Sequence, residues 1–375
     1  MLFEKRIDSR SVSLLVVSAI VVAFTSAAMD VSMEISDICT DKEIFSTEMV
    51  TGITLGFDGK LEIPKRDESR FLGEGSFGVV LRQYLKPHGM VALKVTERTP
   101  QNELELKILY NLKKLFEASK EKREGLSTSE FQTINAQVSN NPFDQFISCY
   151  ATETLLYVAQ TLLLSKLETS KIRKFLQLKP LETKLSIIRD LVASVDFLHG
   201  HDVIHRDIKP QNIVSTNVNV DKLLLIDFGV ATLENTKSFA GSLLYAAPEV
   251  FLEKGFEQGK PYDAWSLAFS LAEYEFGIDE ILSVKTVFMC VVGRYLDPGW
   301  TDIMNTRVAA LLDASEPKFT KMCGKESFDA YKGLFVGGLN HDPKKRATLK
   351  QMVAILDSAI QNCQTFKKNP PKPNA

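Results

Sequence analysis

Apolar and polar positions fall into blocks whose period changes along the chain. Thr51 to Ile63 mixes turn residues with partial alternation, which predicts a short hairpin. Phe71 to Leu81 sets apolar residues on both sides of Gly73, Gly75 and Gly78, and the β-branched Val79-Val80-Leu81 predicts a strand after the glycine turn. Val91 to Val95 is a further apolar strand, broken only by Lys94. Leu104, Ile108, Leu112 and Leu115 then recur at helical spacing. Phe146 to Tyr150 and Leu155 to Gln160 give two more strands. Between them and the helix, Lys113 to Asp144 reads as an extended helix end or a polar insertion. Leu185, Ile188, Leu191, Val192, Val195 and Leu198 predict a long amphipathic helix over Leu181 to His199. Leu223 to Ile226 is a uniformly apolar strand ending in Asp227, and Leu349 to Ile360 is a closing helix.

Composition narrows the partners. At 375 residues the chain exceeds an average domain, with 45% apolar and 25% charged residues, which is ordinary for a globular protein. A net charge of -2 gives no reason to expect nucleic acid as a partner. Cys39, Cys149, Cys290, Cys323 and Cys363 are few, scattered and odd in number, so they read as separate thiols, neither a disulfide framework nor a zinc pattern.

The beginning of the chain changes the picture. Lys5, Arg6 and Arg10 precede an uncharged run from Ser11 to Ala28 that ends in small residues. This is the pattern of a secretory signal peptide over residues 1–28. A run of 18 residues also suits an uncleaved anchor, in which case the membrane becomes a partner. Acidic residues after the run, Asp30, Glu34, Asp37 and Asp41, place the following chain on the lumenal or extracellular side. The expected location is the secretory pathway or outside the cell, with membrane-anchored or cytoplasmic placement as alternatives. No Asn-x-Ser/Thr acceptor occurs in the sequence.

Candidate chemistry concentrates in Val203-Ile204-His205-Arg206-Asp207-Ile208-Lys209-Pro210-Gln211-Asn212-Ile213. Apolar residues at both ends predict a loop clamped into a core, able to hold polar side chains in fixed geometry. The string resembles the catalytic loop of eukaryotic-type protein kinases, with the lysine two places after the aspartate that marks serine/threonine kinases. Gly73-Glu74-Gly75-Ser76-Phe77-Gly78-Val79-Val80 resembles that family's glycine-rich loop, and Val91-Ala92-Leu93-Lys94 its strand lysine. Asp227-Phe228-Gly229 and Ala247-Pro248-Glu249 resemble the two ends of its activation segment.

The resemblance covers roughly Pro64 to Cys363. It implies an α+β, two-lobed fold: a small lobe with a five-stranded antiparallel sheet and one helix, then a mainly helical lobe, with ATP in the cleft. Residues 29–63 would be an N-terminal extension and 364–375 a disordered tail. It further implies transfer of the ATP γ-phosphate to protein serine or threonine. Asp207 would accept the substrate proton, Lys209 steady the γ-phosphate, and Asn212 and Asp227 bind Mg²⁺. Lys94 would hold the α- and β-phosphates with Glu105 as its partner, Glu103 being the alternative. Gly73, Glu74, Gly75, Ser76, Phe77, Gly78, Val80 and Ala92 would line the nucleotide, and the adenine hinge would fall near Gln160 to Leu163. The resemblance also assigns an activation-loop phosphate to Ser238 or Thr236, facing Arg206, and a contact of Ser242 with Asp207 and Lys209. It has Asp263 brace the loop and Arg346 pair with Glu249. A pseudokinase or ATP-binding scaffold is the alternative function.

Overall fold

The computed structural model describes residues 29–40, 45, 54–55, 61–62, 71–75, 78–123, 146–161, 169–215, 219–252, 256–283 and 300–370. Residues 1–28, the expected leader, lie outside this set, as do Ser76, Phe77, Leu163 and most of the polar insertion. Two compact units divide the chain, one within residues 1–162 and the other built from residues 163–199 and 203–375.

The first unit opens with helix α1 (Ile35–Ile38) and the short hairpin of β1 (Thr54–Leu55) and β2 (Leu61–Glu62). Its main sheet comprises β3 (Phe71–Gly75), β4 (Gly78–Leu85), β5 (Gly89–Glu97), β6 (Phe146–Ala151) and β7 (Leu155–Thr161). All pairs are antiparallel, in the spatial order β3-β4-β5-β7-β6. Alternation along β5 buries Val91, Leu93 and Val95 on one face, against Leu85, Leu155, Tyr157, Ala159 and Phe45. Each large apolar side chain removed from water there contributes about 1.5–3 kcal/mol. Ala92 and Lys94 take the opposite face, and the register Val80↔Lys94 sets Val80 beside them.

Helix α2 (Pro100–Arg123) carries the apolar stripe, with Leu106, Ile108, Leu109 and Leu112 buried. Leu104 and Leu115, expected on that stripe, are only half-buried. The helix continues through Lys120 to Arg123, so this part of the expected insertion is a helix end.

In the second unit α3 (Thr169–Leu178) precedes α4 (Leu181–Gly200), whose six expected core positions are all buried. Strands β8 (Ile213–Ser215) and β9 (Leu223–Leu225) form a small antiparallel pair. Then follow α5 (Glu249–Leu252), α6 (Lys260–Phe276), α7 (Ile278–Ile281), α8 (Trp300–Cys323), α9 (Lys325–Gly338) and α10 (Leu349–Lys368). The core centres on α6, where Trp265, Leu267, Ala268 and Phe269 are fully buried. Among the described residues, no helix is long and apolar enough to cross a membrane.

Two expectations are corrected. The tail over 364–375 is not disordered from its start, because α10 runs on to Lys368. Thr348 and Gln351 cap its start reciprocally, and near its end Gln364 and Lys367 both bond Glu182 of α4. The cysteines are not all separate thiols. Cys39 bridges Cys149 with Cα atoms 4.8 Å apart, and Cys323 bridges Cys363 at 4.2 Å. Linear spacing concealed both, since the partners are separated by 110 and 40 residues. Cys290 lies outside the described residues.

Candidate active site

Lys94 projects from β5 and donates to both carboxylate oxygens of Glu105, at 2.6 and 2.8 Å. Both side chains are nearly buried, where a lone charge is costly and a pair is tolerated. The alternative partner, Glu103, instead accepts from Arg98 at 2.6 Å. Gly73 and Gly75 lie in β3 and Gly78 opens β4, in register opposite Gly75. Gly78 has φ +130°, and a Cβ there would stand 2.2 Å from the Val95 carbonyl oxygen, so both conformation and space demand glycine.

In the second unit, α4 delivers the chain to the segment Val203–Ile213, anchored by buried Val203, Ile204, Ile208 and Ile213. The carboxylate of Asp263, wholly buried on α6, accepts from the backbone N–H groups of His205 (2.7 Å) and Arg206 (2.8 Å). His199 Nε2 lies 3.0 Å from the same carboxylate. Helix α6 thus fixes the backbone before Asp207 through Asp263, which α4 in turn holds through His199. Arg206 itself sits at φ +64°, a strained position for a non-glycine residue that the surrounding bonds hold in place.

Asp207 is buried and asymmetric. Its Oδ2 accepts from Lys209 Nζ at 2.7 Å and Asn212 Nδ2 at 3.1 Å. Its Oδ1 is buried and accepts no hydrogen bond among the described residues. Lys209 also donates to Ser242 Oγ at 2.8 Å, giving the expected contact with the activation segment. Asn212 ends a single 3-10 turn, and its backbone carbonyl accepts from Ile226 N–H at 2.9 Å. With Ile213 paired to Leu225, this bond brings Asn212 and Asp227 to neighbouring ends of β8 and β9. Asp227 has φ +66°, a second strained residue beside the site. One amide oxygen and one carboxylate form a hard oxygen donor set, which suits Mg²⁺, an ion that keeps several of its waters.

The activation segment is tied at several points. Thr232 pairs with Ile204, and Thr236 with Gln258. Gln258, fully buried, binds the Ala240 backbone through both amide atoms at 2.8 Å. Gly241 has φ +98°, and a Cβ there would meet the Arg206 carbonyl oxygen at 2.2 Å. Sequence reasoning missed Gln258 and Gly241; the glycine three residues after Ser238 was the available signal. Thr236 and Ser238 share a hydrogen bond of 2.9 Å at the exposed surface. Arg206 is buried, donates from Nε to the Val230 carbonyl at 2.6 Å, and has its guanidinium pKa lowered by that burial. Glu249 and Arg346 form a buried two-pronged ion pair, both contacts at 2.8 Å.

The strand lysine paired to a helix glutamate in the first unit, and the braced His-Arg-Asp loop in the second, are each arrangements of the protein kinase type. The model of the protein kinase domain matches residues 66–355, and the chain belongs to the protein kinase family. It is 31% identical over 207 residues to a calcium/calmodulin-dependent protein kinase of Metarhizium anisopliae, covering 53% of this chain and 47% of that protein. It is 40% identical over 120 residues to a serine/threonine-protein kinase of Schizosaccharomyces pombe, covering 29% and 33%. A putative dual specificity tyrosine-phosphorylation-regulated kinase 3 homolog of Drosophila melanogaster is 29% identical over 211 residues, covering 54% and 23%. The matches span less than half the length of each of these relatives.

Proposed function

We propose that this chain is a serine/threonine protein kinase that transfers the γ-phosphate of ATP to hydroxyls of protein substrates. The observation that carries this reading is the setting of Asp207: one oxygen is held by Lys209 and Asn212, and the other accepts no hydrogen bond among the described residues. Asp207 Oδ1 thus keeps its acceptor capacity, and a substrate hydroxyl is a donor that would use it. Asp207 then aligns that hydroxyl and takes its proton, while Lys209 remains beside it as a cation for the developing charge. Lys94, fixed by Glu105, is the residue for the α- and β-phosphates. Asn212 and Asp227 are the residues for Mg²⁺, which when bound neutralises phosphate charge.

The kinase domain in this reading spans 64–363, after an extension over 29–63. Its location is the secretory pathway or the cell exterior. Two cystine bridges support that location, because such bonds persist in oxidising compartments and are rare in the cytosol. The basic start and uncharged run of residues 1–28 support it independently.

The test is incubation of residues 29–375 with Mg²⁺, labelled ATP and a generic basic protein, followed by phosphoamino-acid analysis. Label on serine and threonine is expected. Absence of transfer from protein that binds ATP would favour a scaffold. For location, the unreduced mass of protein recovered from its native source should be about 4 Da below that of the reduced form, two hydrogens per bridge. Four free thiols at these positions would argue for the cytosol.

A further inference from the structure

Helix α2 is gripped from two sides. Its inner side faces the sheet, where Glu105 holds Lys94. Its other side is held by the segment before β1. Lys107 Nζ donates to the Val31 carbonyl at 3.1 Å, and Asn111 Nδ2 to the Asp30 carbonyl at 2.7 Å. At about 100° per residue, Lys107 stands roughly 200° around the helix from Glu105. Asp30 shapes the gripping turn by accepting from the backbone N–H and the hydroxyl of Ser32, at 3.0 and 2.6 Å. Met29, Ile35 and Ile38 are buried, and α1 packs against α2 and β6.

A segment this short has little hold of its own. What fastens it is the Cys39–Cys149 bridge, which joins the residue after α1 to the interior of β6. Lys113 of α2 donates to the carbonyl of Ile147 on that same strand, at 3.0 Å. Segment, strand and helix therefore form a closed ring, and α2 cannot swing outward without opening it.

We propose that residues 29–40, locked by the Cys39–Cys149 bridge, are a built-in clamp that positions Glu105 against Lys94 and so sets the rate of phosphoryl transfer. This rests on the kinase reading above. Cys39, Cys149, Lys107 and Asn111 are positioning residues, since they act through α2. The clamp makes the paired, competent arrangement intrinsic to the chain, with no partner protein needed to press on the helix.

The test compares the full chain with Cys39→Ser/Cys149→Ser and, as control, Cys323→Ser/Cys363→Ser. Turnover is read together with amide hydrogen exchange in residues 104–112, using β4 amides as internal reference. Opening the clamp should lower kcat about 10- to 100-fold, the scale of loss from a misplacement remote from the chemistry. It should also speed exchange in α2 relative to β4, and the control should change neither. Unchanged kcat and unchanged helix exchange in the clamp variant would overturn the proposal, leaving the bridge a purely structural bond. Should the double-serine variant fail to fold, Asn111→Ala decides with all cysteines in place: faster α2 exchange and lower kcat support the clamp, no change in either refutes it. If the unmutated chain transfers no phosphate, the kinase reading fails by itself, while the exchange comparison still tests the clamp.

Discussion

Arg346 and Glu249 lie 97 residues apart in sequence and meet through two parallel bonds of 2.8 Å, with the arginine side chain fully enclosed. Arg346 Nη1 also donates to the Pro261 carbonyl, and Nε to that of Asn340. One guanidinium thereby joins the end of the activation segment to the start of α6 and the loop before α10.

Removing one partner leaves a charge buried without compensation, which costs about 3–5 kcal/mol. Arg346→Ala should lower the free energy of unfolding of the second unit by that amount. Urea unfolding followed by intrinsic fluorescence measures it, Trp265 being fully buried and 5.2 Å from the guanidinium. Arg346→Lys should recover only part of the loss, because lysine cannot reproduce the paired fork.

Lys94→Met should reduce kcat by about 10²–10³, the usual scale for removing one electrostatic contact to the reacting phosphates. It should also weaken ATP binding. Glu105→Gln should reduce kcat less, because Lys94 keeps its charge and loses only its orientation. Steady-state kinetics with ATP varied would separate the two effects, and equal losses in both variants would contradict the roles given.

Gly241→Ala should impair transfer without removing any polar side chain of the site. Its Cβ would collide with the Arg206 carbonyl and near the Asp207 backbone, so the activation segment must lift away. Strain of this kind costs on the order of 1–3 kcal/mol. Faster proteolysis within the activation segment, together with lower kcat, is the expected result.

Glu273 gives a pH prediction. Burial raises its carboxyl pKa, outweighing the opposing effect of the Tyr245 hydroxyl, which donates to it at 2.8 Å. Asp279 raises it further and Arg173 lowers it. A raised folded-state pKa means stability present at low pH and lost as pH climbs from the ordinary glutamate range through the folded value. Glu273→Gln removes that titration. The melting temperature of this variant relative to the unmutated protein should therefore rise as pH climbs from the ordinary glutamate range through the raised folded-state titration. A difference independent of pH would show that Glu273 folds without a raised pKa.

Much of this architecture was legible because it is written locally. The period of α4, the alternation of β5 and the apolar flanks of the Asp207 loop each follow from neighbouring residues. Long-range pairs were legible only where a family pattern named both ends, as for Arg346 with Glu249 and Asp263 with the loop backbone. The bridges Cys39–Cys149 and Cys323–Cys363 had no such pattern, and spacing alone does not encode spatial adjacency. The last turns of α10 were missed for a related reason: Glu182, 185 residues upstream of Lys367, holds them through a side-chain contact that no local propensity reveals. Gln258 was hidden likewise, since a lone glutamine carries no periodic signal, although both of its amide atoms bind Ala240.

The most direct measurement is transfer of labelled phosphate by Asp207→Asn beside the unmutated protein, with ATP affinity determined for both. Asn212 and Lys209 can still bond the substituted side chain, so the loop should fold and ATP should bind as before. With its proton acceptor gone, kcat should fall by about 10²–10⁴. Transfer at the unmutated rate would contradict the assignment of Asp207, and with it the mechanism built on its carboxylate as proton acceptor.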